Sequence, residues 1–269
     1  MIDPTESSAQ GVRDRLANGC NTMKQRLLGL LDSKGKVADE IHAIRKLGKS
    51  LRGGLALFRL EKTASLEIQA VSRLLSGPRD ATSRANTWHR LAWNADPRLA
   101  AAIATLLDQH THSASRRPPP ETVAWCVDRA AAARQELDRL PTDGLAARAA
   151  SGLARLERRL RHRCRKLDHR SDERFHQARK ALKAWFGAIS FLSADVEAHD
   201  PELEILAELL GDENDLATLA DWLEIHGFTP RFAPHLRQAI TKARRKLQQK
   251  AIRDVACMAG LHLRTSSNQ

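Results

Sequence analysis

One displacement constrains this chain more than any other feature. His42, Arg45, Lys46 and Lys49 recur as His176, Arg179, Lys180 and Lys183, each shifted by 134 positions. Gly77 and Gly211 share that shift, as do Trp88 and Trp222, and Arg79-Asp80 corresponds to Asn214-Asp215 with a one-residue slip. Ordered matches at a single offset describe an internal duplication, so the fold has to be one that the same unit builds twice. The division falls near Pro141, with a first half over residues 1–141 and a second over 142–269.

The repeating unit reads as helix. Ala, Leu, Arg, Lys, Glu and Gln dominate, and no run of alternating β-branched residues stands out. Turn signals lie at Asp32-Ser33-Lys34-Gly35, Ser76-Gly77-Pro78, Asp96-Pro97, Arg116 through Pro120, Pro141 through Gly144, His199-Asp200-Pro201 and Gly227 through Pro234. Between them the spacing predicts helices near 11–31, 37–62, 65–75, 80–93, 98–111, 120–139, 145–168, 172–192, 202–210, 214–226 and 235–259. The expected fold class is all-α, two pseudo-symmetric helical bundles related by duplication. With 42% apolar residues in 269, a sizeable core is within reach. No apolar run is long enough for a transmembrane helix, and the leading MIDPTESSAQ has no apolar stretch of the kind a secretory signal needs. Cys20, Cys126, Cys164 and Cys257 lie far apart with no Cys-x-x-Cys, which suits free thiols in a reducing cytoplasm and disfavours a zinc site.

Charge is sorted by element. Lys plus Arg number 44 against 32 Asp plus Glu, a surplus that points to a polyanionic partner. Residues 155–183 hold twelve Lys/Arg and four acids, 185–230 hold eleven acids and no Lys or Arg, and 237–253 hold seven Lys/Arg and no acid. On a helical wheel His42, Arg45, Lys46, Lys49 and Arg52 share a stripe about 120° wide, opposite Ile44, Leu47, Leu51, Leu55 and Phe58. No acid falls between His42 and Leu60 to pair with these cations along the helix. Gly53 lies on the same stripe, where tight helix packing explains it better than close approach of an anion. The second copy lines up His176, Arg179, Lys180 and Lys183, and the helix before it lines up Arg155, Arg158, Arg159, His162 and Lys166. In the last helix Lys242, Lys246, Lys250 and Arg253 face away from the apolar side, with Arg237, Arg244 and Arg245 on the flanks. These helix faces, including Arg244 and Arg245, are the candidate binding residues.

One basic stripe is an ordinary solvated surface. Several at repeat-related positions carry a cost of like-charge crowding that a bound polyanion relieves. Arg grips phosphate oxygens through paired hydrogen bonds, while Lys contributes a movable point charge. His42 and His176 read as hydrogen-bonding groups rather than metal ligands, because the surrounding positive charge repels a cation. Asp80 and Asp215 read either as helix N-caps or as carboxylates that orient Arg and Lys across the bundle. No P-loop, nucleophile–base pair or paired metal carboxylates accompany them, so neither catalysis nor a cofactor is expected. Nucleic acid is the main rival ligand, but the stripes lack the aromatic side chains on which single-strand binders stack bases.

Together these residues resemble the CHAD family, the conserved-histidine α-helical domain, from about Val12 to His262. The resemblance rests on His42-Ala-Ile-Arg45-Lys46-Leu-Gly-Lys49-Ser-Leu-Arg52 and His176-Gln-Ala-Arg179-Lys180-Ala-Leu-Lys183, with the segments Ser76-Gly77-Pro78-Arg79-Asp80 and Leu210-Gly211-Asp212-Glu213-Asn214-Asp215. The first copy departs from the family pattern at Ser50, where a basic residue is common, and at Ser76, where Leu is common. The second departs at Phe186 and Gly187, where an Arg-Tyr pair is usual. The resemblance implies a basic surface that binds inorganic polyphosphate, often on polyphosphate granules, with no membrane partner. The triphosphatase domain fused to some relatives has a Glu-x-Glu-x-Lys signature that this sequence lacks.

Overall fold

The computed structural model describes residues 6–32, 37–91, 96–114, 117–192, 200–231 and 233–258. Ten helices run through them: α1 (Glu6–Asp32), α2 (Val37–Leu57), α3 (Ala64–Leu74), α4 (Ser76–Arg90), α5 (Pro97–Ala114), α6 (Pro120–Asp138), α7 (Leu145–Arg165), α8 (Asp172–Leu192), α9 (Pro201–Ile225) and α10 (Pro234–Met258). No strand occurs among the described residues, and no described helix is long and apolar enough to cross a membrane. The expected all-α class is therefore what forms.

Several boundaries follow from local chemistry. Pro120 and Pro201 open their helices, where the missing N–H costs nothing, and Asp200 caps α9 by accepting from the Glu202 amide at 3.0 Å. Gly144, at φ 74°, leads into α7. The expected helix over 37–62 instead stops at Leu57. Arg59 takes a left-handed φ of 62°, the Leu60 amide donates to the Leu55 carbonyl at 3.1 Å, and the Arg59 amide donates to Ala56 at 3.3 Å. That pair of bonds is a Schellman stop. With Arg rather than Gly at the left-handed position, the sequence carries no sign of it.

Two expected turns are helical. Gly77 and Pro78 fall in the first turn of α4, which follows α3 after the single residue Leu75, so Asp80 lies inside the helix and is no N-cap. The expected break at 211–213 is absent, and α9 continues through it, placing Asp215 in mid-helix. Gly211 is a weak helix former, but the polar residues after it find partners, above all Glu213, only 3% exposed. Its carboxylate accepts from Arg244 Nη2 at 2.6 Å and Gln248 Nε2 at 3.0 Å. A buried carboxylate held by one guanidinium and one amide donor carries its helix through a weak point.

Packing order repeats along the chain. α1 packs on α2 as α7 packs on α8, and α4 packs on α5 as α9 packs on α10. The repeat-related helices α2 and α8 also pack against each other. One hydrophobic cluster joins α1, α2, α3, α6, α7, α8, the start of α9 and Ala251 of α10. A second joins Trp88 of α4, Ile103 and Leu107 of α5, Leu219 and Trp222 of α9, and Leu236 and Ile240 of α10. Each cluster draws on residues from both sides of Pro141.

The α2–α8 contact turns on two glycines that are themselves displaced by 134 positions, Gly53 and Gly187. A Cβ on Gly53 would lie 2.6 Å from the Ala184 carbonyl oxygen and 2.6 Å from Gly187 Cα. A Cβ on Gly187 would lie 2.8 Å from the Ser50 carbonyl oxygen and 3.0 Å from Gly53 Cα. The contacts are reciprocal, as a two-fold relation between the two helices requires. Gly53 therefore serves close backbone packing between α2 and α8.

Candidate functional site

Because α2 and α8 approach so closely, their basic stripes converge on one cleft of about 550 Å³. α2 supplies Arg45, Lys49 and Arg52, α7 supplies Arg159, and α8 supplies His176, Arg179, Lys180 and Lys183. The facing walls come from the turn after α2 (Glu61), α3 (Gln69), α4 (Asp80, Ser83) and α9 (Asn214, Asp215, Thr218). Seven Lys/Arg side chains meet three carboxylates, a formal excess of 7 − 3 = 4 positive charges. No aromatic side chain other than the His176 imidazole lines the cleft.

The carboxylates each have a task. Asp80 Oδ1 accepts from Arg45 Nη2 at 3.3 Å, while Arg45 Nη1 donates to the Ser72 carbonyl at 3.1 Å. That guanidinium is fixed between α3 and α4, with a side chain only 11% exposed. Asp80 is thus the orienting carboxylate, the second of the two readings that the sequence left open. Asp215 Oδ2 accepts from Ser83 Oγ at 3.1 Å and joins α9 to α4 along the cleft. Glu61 forms an ion pair with Arg155. His176 Nδ1 lies 3.2 Å from Asn214 Oδ1, and Asn214 Nδ2 lies 3.5 Å from Thr218 Oγ1. With the Asn214 oxygen toward the ring, His176 Nδ1 carries the proton and donates.

Arg52 is a half-buried member of the set. Burial pushes the pKa of its guanidinium down, and the nearby positive charge of Arg73 adds to that effect. Its Nε is buried without a hydrogen-bond partner. An anion in the cleft would offset the electrostatic part of that cost.

The remaining sequence candidates lie elsewhere. His42 and Lys46 are exposed on α2 and do not line the cleft, so the two copies contribute unequally: His176 and Lys180 are present, while their counterparts are not. Arg155 donates to the Ala56 carbonyl at 2.7 Å as well as pairing with Glu61, which ties α7 to the end of α2. Arg158 and His162 on α7, and Lys166 just after it, are exposed outside the cleft. Arg244 is bound to Glu213 and to Asp172, the latter at 2.9 Å. Burial works against its charge, but these two carboxylates outweigh it and raise its pKa. Arg245 is exposed on α10. Conversely, sequence reading passed over Gln69, Ser83 and Thr218. Ser83 is three residues beyond Asp80 and Thr218 four beyond Asn214, the spacing that puts neighbours on one helix face, and that was the available signal.

The thiols stay out of this chemistry. Burial pushes Cys20 up to about 12 and Cys126 and Cys164 up to about 11, which keeps all three protonated near neutral pH.

No curated protein matches the sequence. The fold is similar to that in the crystal structure of the CHAD domain from the plant Ricinus communis, with TM-score 0.65 and 20% identity over 95% of this chain and 92% of that one. It is also similar to PptA from Streptomyces chartreusis, with TM-score 0.51 and 18% identity over 92% of this chain and 96% of that one. The sequence itself matches the CHAD domain over residues 15–224. A match across most of the helices that build the cleft leaves one conclusion: the chain belongs to the CHAD domain family.

Proposed function

We propose that this protein binds inorganic polyphosphate in the α2–α7–α8 cleft without catalysing a reaction on it. The observation that carries this reading is the cleft itself, in which seven Lys/Arg side chains converge from three helices with no Phe or Trp among the lining residues. A polymer of phosphates without bases needs cations and hydrogen-bond donors and no stacking platform. The CHAD family implies the same ligand, and a cytoplasmic setting with polyphosphate granules accompanies it. The non-catalytic part rests on the carboxylates. Asp80, Asp215 and Glu61 are each engaged by a neighbouring side chain, and no cluster of three or more potential metal ligands occurs among the described residues.

A binding competition at physiological salt tests the ligand, with long polyphosphate set against single-stranded DNA and RNA of matched charge. Polyphosphate is expected to displace both. Nucleic acid binding equally or more tightly would transfer the cleft to that ligand. Incubation with polyphosphate and divalent metals is expected to release no phosphate, and turnover abolished by a cleft substitution would refute the non-catalytic reading.

A further inference from the structure

We infer that α10 carries a second polyanion-binding ridge separate from the cleft, so that one molecule holds two segments of polyphosphate at once. The inference rests on the polyphosphate reading of the cleft. Lys242, Arg245, Lys246, Lys250 and Arg253 are all exposed along α10, and no acid occurs in that helix from Pro234 to Arg253. At 100° per residue they fall within an arc of about 140°, and at 1.5 Å per residue they span about 16 Å.

Three observations set this row apart from an ordinary solvated face. First, the nearby acids are few: Glu224 pairs with Arg237 at 3.6 Å, Glu213 holds Arg244, and Asp254 follows the row at its C-terminal end. One acid of α10 against five exposed cations leaves the row strongly positive. Second, the charge is not a requirement of the fold. α5 packs on α4 as α10 packs on α9, yet between Pro97 and Ala114 it has one Arg and no Lys. Third, the row is spatially distinct. A groove along α10 is lined by Arg237, Lys242, Arg245 and Lys246 and shares no residue with the cleft.

α9 stands between the two sites. Its residues Asn214, Asp215 and Thr218 line the cleft, while Glu213, Leu216 and Ala220, on roughly the opposite side of the helix, meet α10 and its cluster. A ligand of regularly repeated negative charge matches such a row. A second copy of this chain matches it less well, because the exposed acids of α9 (Glu202, Glu204, Glu208, Asp221, Glu224) spread around more than half of that helix. Two sites on one molecule let a long chain gain avidity and let separate chains be joined.

The test uses the full chain and a ridge variant with Lys242→Gln, Arg245→Gln, Lys246→Gln, Lys250→Gln and Arg253→Gln, its helicity checked by circular dichroism. Titration calorimetry with a linear polyphosphate no longer than the cleft should saturate at two chains per protein for the wild type and one for the variant. With long polyphosphate, light scattering should rise for the wild type and stay near baseline for the variant. A ridge variant that keeps wild-type stoichiometry and scattering overturns the inference, as does a wild type that saturates at one chain. So does a variant that changes only self-association of the protein without polyphosphate. A cleft variant (Arg45→Gln, Lys49→Gln, Arg179→Gln, Lys183→Gln) separates the two claims. Binding unchanged there but lost in the ridge variant refutes the cleft reading, whereas the reverse pattern refutes the ridge alone.

Discussion

Replacing Arg45, Lys49, Arg179 and Lys183 with Gln removes four of the seven Lys/Arg side chains of the cleft. If each neutralises one phosphate, the plot of log affinity against log salt flattens by roughly 0.7–0.9 per residue, taking the nucleic-acid coefficient, or by about 3 in all. The geometry adds a second effect at Arg45. Its removal takes one cationic partner from Asp80, so a less neutralised carboxylate faces the ligand and affinity falls further than the lost cation alone requires. Stability is not untouched either. From the sequence all four positions read as surface, where substitutions stay within about ±0.5 kcal/mol. Arg45, however, is mostly buried and bonds both the Ser72 carbonyl and Asp80, and hydrogen bonds to charged groups contribute about 1.5–3 kcal/mol. Urea denaturation of Arg45→Gln should therefore show a stability loss well above that of an ordinary surface substitution. Binding is then measured on the folded quadruple variant across a salt series. Lys34, Lys36 and Arg264 suit a charge comparison by sequence but lie outside the described residues, so exposed Arg98, Arg148 and Arg170 serve instead. Equal loss per charge in the two variants would make net charge the cause and refute a defined cleft.

Three further outcomes follow from the packing. Glu213→Ala removes the buried partner of Arg244 and leaves it the exposed Asp172, so it should cost about 1–3 kcal/mol in denaturant unfolding, and a loss within about 0.5 kcal/mol would show the network to be dispensable. Gly53→Ala and Gly187→Ala each force a Cβ against opposing backbone and should each destabilise by about 1–3 kcal/mol, so an unchanged Tm in either would contradict the close approach of α2 and α8. His110 sits edge-on to Trp222 at 5.3 Å and to His226 at 4.9 Å, and its pKa is lowered by burial, then by His226 and Arg84. The folded state thus binds this proton less readily than the unfolded chain, so its stability contribution is present above the ordinary pKa of 6.5 and is lost as pH falls below it. His110→Gln should flatten that acid-side decline, and an unaltered pH–stability profile would exclude His110 as its source.

Much of this architecture was legible in the residues because helix formation is local. The 3.6-residue periodicity marked the inward faces of α2 and α8, and Asp200-Pro201 and Gly144 marked starts that the structure keeps. The 134-residue offset picked out the two helices that meet at Gly53 and Gly187. Local reasoning failed where a distant partner decides the outcome. Gly211 reads as a break until Arg244 and Gln248, more than thirty residues later, take hold of Glu213 and keep α9 whole. Arg59 ends α2 without a glycine.

The sequence by itself determined which faces are basic, since the position of a charge on a helix depends only on spacing along that helix. Which of those charges act together was decided only by the tertiary structure. Arg45, Lys49, Arg52, Arg159, His176, Arg179, Lys180 and Lys183 face one cleft because α2 and α8 approach at two glycines. Arg155 and Arg244, equally basic by sequence, were drawn into ion pairs with Glu61 and Glu213. An electrostatic interaction depends on distance through space, and the chain alone does not specify that distance until its helices have packed.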